Sequence, residues 1–108
     1  MKRYISNYTI LPSGEEFVNH ITTLSNDDML ISISPFDREL GNTHYVPLPL
    51  VIVPSTLYNK VKEIFLAASS REHFKLQLAM AGFNTSATSL AQVVVASLDF
   101  VNKSITQL

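Results

Sequence analysis

Cysteine is absent from the 108-residue chain, which removes disulfide staples, thiolate metal sites and cysteine nucleophiles together. Glycine is scarce: Gly14, Gly41 and Gly82 stand alone, so no phosphate-cradling loop or dinucleotide fingerprint can be assembled from them. Charge is scarce as well. Asp, Glu, Lys and Arg make up 16% of the chain, against about 25% in an average globular domain. The net charge of -1 supplies no basic footprint for nucleic acid. The longest apolar run, Val46 to Val53, contains two prolines and falls far short of the ~20 residues that span a bilayer. Lys2 and Arg3 open the chain, but "YISNYTILPSG" behind them lacks the apolar centre of a signal peptide. A soluble, cytoplasmic protein bound to neither nucleic acid nor membrane is expected.

What is present is apolar patterning. Hydrophobic residues reach 46%, enough for one core in a single domain of this size. "KRYISNYTIL" sets Tyr4, Tyr8 and Ile10 against Ile5, Thr9 and Leu11 at a period of two, and its β-branched and aromatic content fits a strand. Pro12 and Gly14 turn the chain. Phe17 to Leu24 alternates again, "SNDD" turns, and "MLISISPF" makes a third strand. Three strands on short turns predict an antiparallel meander. "DRELGNTHY" reads as a loop, and Leu50–Val53 as a strand buried on both faces.

Pro54 closes that strand, and Ser55 is expected to cap a helix in which Leu57, Val61, Ile64, Phe65 and Ala68 recur at helical spacing. "HFKLQLAM" alternates like a strand. A capping box from Ser69 to Glu72, Gly82 as the residue past the end and strong helix formers between them favour a second helix, apolar on two faces and so packed on both. "NTSATS" is a polar loop, and two last strands, or one bent pair around Leu98-Asp99, complete the chain. The expected fold is therefore α+β: a strongly bent, mixed and partly barrel-like sheet made from both chain ends (strands about 2–53 and 90–107), covered by two helices within about 56–81. The final segment, 93–105, is expected to pair with strands from residues 2–36.

This arrangement resembles the small β domain, or composite domain, of amidohydrolase-superfamily enzymes, which is built from both ends of a chain around an inserted metal-binding barrel. "KRYISNYTILPSGEEFVNHITTLSNDDMLISISP" is similar to its N-terminal strand pairs, "LPLVIVPS" to its apolar strand with closing proline, and "SLAQVVVASLDFVNKSITQL" to its returning strands. The resemblance implies a scaffold whose residues 55–84 replace the barrel. Ser55 stands where that family's pattern has glycine, no His-x-His pair follows, and no catalytic residue carries over.

No constellation in the sequence suggests chemistry. His20, His44 and His73 are far apart and form no i, i+4 pair. His44 is the histidine hardest to set aside, since Asp37 and Glu39 precede it on one loop. Asp27-Asp28 and Glu15-Glu16 read as turn residues. No serine lies in G-x-S-x-G, and Tyr4, Tyr8, Phe17 and Tyr45 lack the basic groove that base-stacking requires. Catalytic, cofactor-binding and metal-binding residues are accordingly expected to be none. The expected role is structural or protein-binding. Alternatives are an accessory subunit or degenerate relative of a metal-dependent hydrolase, and a small-molecule-binding module. With few surface charges and a "RYISNYTI" strand read as an open edge, a homodimer burying Tyr4 and Tyr8 is expected, and an unidentified protein partner is a further possibility.

Overall fold

The computed structural model describes residues 1–36, 42–83 and 92–108. Its strands are β1 (Lys2–Ile10), β2 (Glu16–Leu24), β3 (Leu30–Pro35), β4 (Thr43–Tyr45), β5 (Leu50–Pro54), β6 (Val93–Asp99) and β7 (Ser104–Gln107). Between β5 and β6 lie a 3-10 turn, Ser55–Leu57, and helices α1 (Tyr58–Ala67) and α2 (Arg71–Ala81). The fold is α+β, with one mixed sheet in the order β3-β2-β1-β5-β6-β7 and two helices over it. It does not close into a barrel.

Both chain ends enter this sheet, but through an intermediary. β6 runs antiparallel to β5, and β5 runs parallel to β1 at Thr9 and Ile10. Residues 93–105 therefore do not pair with strands 2–36 as expected. The contacts closest to that expectation are the single bridge of Met29 to Gln92 and the Val93 N–H donated to Asp28 O at 2.9 Å. β5 wins the central place because "LVIVP" is buried at every position. Such a strand needs cover on both faces, and β5 has it, with one core under the helices and another within the bent sheet.

Those covers differ. Val51 and Val53 join Ile10, Val61, Phe65, Phe74, Leu78 and Leu98 in a core under the helices. Leu50 and Ile52 join Leu24, Val46, Val93 and Val95 in a second core, against which Tyr4, Leu30 and Ile33 also pack. Here the sheet bends until its own first strands cover its last ones.

β1 serves both cores, and this requires a fault. Tyr4 packs on the second core and Ile10 belongs to the first, although two even-numbered positions of a regular strand share a face. The β1–β2 ladder skips Asn7 opposite Asn19, and Asn19 takes the left-handed φ of 56°. Asparagine tolerates that region better than most residues. Ser6, fully buried, holds the bend: its hydroxyl oxygen lies 2.7 Å from Leu48 O, to which it donates, and accepts the Tyr8 N–H at 3.3 Å. The regular alternation expected for 17–24 gives way accordingly, and Ile21, Thr22, Thr23 and Leu24 are buried in succession.

Four local expectations are corrected. Thr43–Tyr45, read as loop, is a short strand parallel to β1 at Arg3–Ile5, since three residues held by a distant partner leave no periodic signal. Ser55 does not cap α1 with its side chain; its N–H instead extends the sheet to Gln92 O at 2.9 Å. α2 is capped by Ser70 rather than Ser69: Ser70 Oγ accepts the His73 N–H at 3.1 Å, and the Ser69 N–H donates to His73 Nδ1 at 3.0 Å. The histidine side chain thus reaches back one residue further than the Glu or Gln of a capping box, to the N–H of the residue before the cap. Gly82 ends α2 with φ 70° and Phe83 packs on the first core, both as expected. The expected packing of α2 on two faces fails. Phe74 and Leu78 are buried, whereas Leu76 is 56% and Met80 71% exposed.

Candidate functional site

Where β1 changes face, the outer surface of the sheet is hollowed. The groove holds about 500 Å³ and is lined by Ile5 and Asn7 of β1, Asn19 of β2, Phe36 just past β3, and Thr43 and Tyr45 of β4. Four separate segments meet here because β1 pairs with β2 on one edge and β4 on the other, with Ile5 opposite both Ile21 and Tyr45. The Phe36 N–H donates to Asn19 O at 2.9 Å, which fixes Phe36 beside the fault. A regular ladder at 7 and 19 would fill this space with a cross-strand pair; the skipped pair leaves it open.

The groove's polar groups are unclaimed. Asn7 and Asn19 are exposed, and neither carboxamide bonds to the protein among the described residues. Thr43 Oγ1 is buried with no hydrogen-bond partner, and an orphan of that kind costs about 1–3 kcal/mol until something satisfies it. Phe36 and Tyr45 expose 43% and 56% of their surface at the rim. None of the six described lining residues is charged at neutral pH. The volume lies within the range of about 300–1,000 Å³ common to small-molecule sites.

Chemistry-bearing residues gather elsewhere without forming a reaction centre. Glu16, expected only to help turn the chain, sits at the joint between sheet and α2 with its side chain 12% exposed. Lys75 Nζ is 3.1 Å from Glu16 Oε1 and 3.1 Å from Glu72 Oε1. Arg71 lies 3.6 Å over the Tyr8 ring. Its Nε is 3.0 Å from Glu16 Oε2, but the N–H misses that oxygen, so the contact is an ion pair without a hydrogen bond. Burial pulls the Lys75 ammonium pKa down, yet its hydrogen bonds to Glu72 and Glu16 and their charges outweigh this and raise it above the ordinary lysine value. The cluster clamps α2 to the β1–β2 hairpin. Tyr8 is engaged in it and β1 is an interior strand, so the open edge on which the Tyr4–Tyr8 dimer expectation rested does not exist.

The histidines stay apart. His20 Nδ1 is 2.9 Å from Val18 O, its ring beside Phe17 at 5.0 Å. His44 is exposed on β4, edge-on to Tyr4 at 6.1 Å; Asp37 and Glu39 lie outside the described residues. His73 Nδ1 is 3.2 Å from Ser69 Oγ, the separation of a nucleophile and its base. The same nitrogen already accepts the Ser69 N–H, so its lone pair is committed and the pair serves as a helix cap. Asp28 pairs with Lys2. No group of three or more His, Asp or Glu able to hold a metal occurs among the described residues, and no helix there is long and apolar enough to cross a membrane. No protein-family model, curated protein or solved structure matches this chain.

Sequence reasoning did not find the groove, though one signal pointed to it. Positions 7 and 19 lie symmetrically about the Pro12–Gly14 turn, so a hairpin register sets two asparagines opposite each other. Two poor strand formers in the middle of a hairpin mark a fault in its ladder.

Proposed function

We propose that this domain is a non-catalytic binding module and that the groove over Ile5 is its binding site. The observation that carries the reading is the set of unclaimed groups there: two carboxamides, one buried hydroxyl and two exposed aromatic rings around a single hollow. Fragment screening on isotope-labelled protein tests it. Bound fragments should shift the backbone amides of Asn7, Asn19, Phe36, Thr43 and Tyr45 as a group. Fragments that gather on the helices instead, or nowhere, would refute the reading.

A second reading, assembly into a homodimer, now draws its support from α2. Leu76 and Met80 are four residues apart and exposed opposite the buried Phe74 and Leu78. Light scattering behind size exclusion should give twice 12.0 kDa, and Met80→Lys should return the monomer mass; a wild-type chain already at monomer mass ends it. We further propose an amidohydrolase-type ancestry and a cytoplasmic location. The sheet shared by both chain ends supports the former.

A further inference from the structure

From the groove's chemistry we infer the class of its ligand: an uncharged, polyhydroxylated ring, that is, a neutral sugar. The inference rests on the binding-module reading and adds the ligand to it. The six described lining residues carry no formal charge at neutral pH, so none of the described residues there offsets the desolvation of a phosphate, carboxylate or ammonium group. The polar groups are carboxamides and a hydroxyl, each able both to donate and to accept. A sugar hydroxyl does the same, so Asn7, Asn19 and Thr43 can each be satisfied by one class of group in either direction. Thr43 Oγ1 is buried and unpaired beneath the groove, so a ligand hydroxyl would pair with it only after a small side-chain rotation opens it.

The rim fits the other half of such a ligand. A sugar ring presents its C–H bonds on one face, and an aromatic ring, negative on its own face, offers them a flat apolar surface. Phe36 and Tyr45 stand exposed on two sides of the hollow. Asn7 and Asn19 are exposed as well, so a bound ring would keep one side in water. That suits a ligand whose outer hydroxyls stay solvated, and it disfavours a wholly apolar ligand, for which an enclosed cavity gains more.

The test uses the whole chain and saturation-transfer NMR with four probes: maltose, cellobiose, adenosine and an uncharged blocked tripeptide. Maltose or cellobiose should receive saturation and shift the Asn7 and Asn19 side-chain amide resonances, with a Kd on the order of 1 mM for so open a site. Asn7→Ala and Tyr45→Ser should each weaken binding about tenfold. Val101→Ser, in the β6–β7 turn, should leave it unchanged, and matching backbone spectra show that each variant is folded. If adenosine or the tripeptide shifts the groove amides while both sugars fail, the sugar assignment falls and the binding module stands. If none of the four shifts them, the assignment falls, and the fragment screen alone decides the module.

Discussion

The two cores flanking β5 are built by different means. The helix side is aromatic: Phe65 meets Phe100 at 5.0 Å and Phe74 at 5.9 Å, all edge-on. The folded-sheet side is aliphatic and takes up two buried hydroxyls without partners, Thr22 opposite Tyr4 and Thr9 opposite Leu50. A helix satisfies its own backbone and can present large rings to a core. A sheet bent over itself must fill its interior with strand formers, and threonine has the shape of valine with a polar atom attached. The two cores thus differ in what they bury: rings on the helix side, and hydroxyls without partners on the sheet side.

The largest test of this comparison removes a ring. Phe65→Ala should lower stability by about 3–5 kcal/mol, and Ile52→Ala, on the other face of the same sheet, by about 2–5 kcal/mol. In urea each should move one shared transition, because β5 belongs to both cores; two separate transitions would show that the cores fold independently. Next comes the hairpin that rests on α2. Gly14 has φ 89°, and a Cβ there would lie 2.5 Å from Lys75 O. Gly14→Ala should cost about 1–3 kcal/mol, read as a lower melting temperature; an unchanged value would mean that the turn moves off the helix freely. Thr22→Val should be neutral or stabilising by up to about 1 kcal/mol, since it exchanges an orphan hydroxyl for a methyl of similar shape. A clear loss would reveal a partner for that hydroxyl and remove the contrast between the cores.

The smallest effect concerns pH. Asp99 accepts the Asn102 N–H and the Val101 N–H at 3.0 Å each, and the Asn102 side-chain amide at 2.9 Å. The bonds from Asn102 lead in holding its carboxyl below the ordinary aspartate value of 3.8, against the opposing desolvation. A depressed carboxyl stabilises the fold above its unfolded pKa and loses that contribution as pH falls through the folded one. The amide signals of Val101 and Asn102 should thus shift together, with a midpoint below the ordinary aspartate value of 3.8. A midpoint at or above 3.8 contradicts the bonding.

Much of this was legible because local signals agreed. Alternation with Pro12, Gly14 and the "SNDD" turn marks the first three strands, and Ser70, Gly82 and Phe83 bracket α2 against the competing alternation of "HFKLQLAM". β4 was illegible because it is a strand only by virtue of β1. Leu76 and Met80 misled because an apolar residue does not say whether a partner exists to cover it. Glu16 misled for the opposite reason: its cations come from a helix more than fifty residues away. The groove draws on four segments, so no spacing encodes it beyond the mirrored asparagines.

The central place of β5 also governs how the chain is made. On a ribosome, "LVIV" leaves the exit tunnel long before β6, the strand that completes its pairing and part of both its covers. Until residue 93 follows, a run of four uncharged, strand-forming residues has an open edge. Late closure of distant pairs is slow and invites association between nascent chains. Pro47 and Pro49 before the run and Pro54 at its end, none able to donate a backbone hydrogen bond, bound the length a neighbouring chain could pair with. The prolines that frame the buried strand in the finished fold thus act as gatekeepers during synthesis.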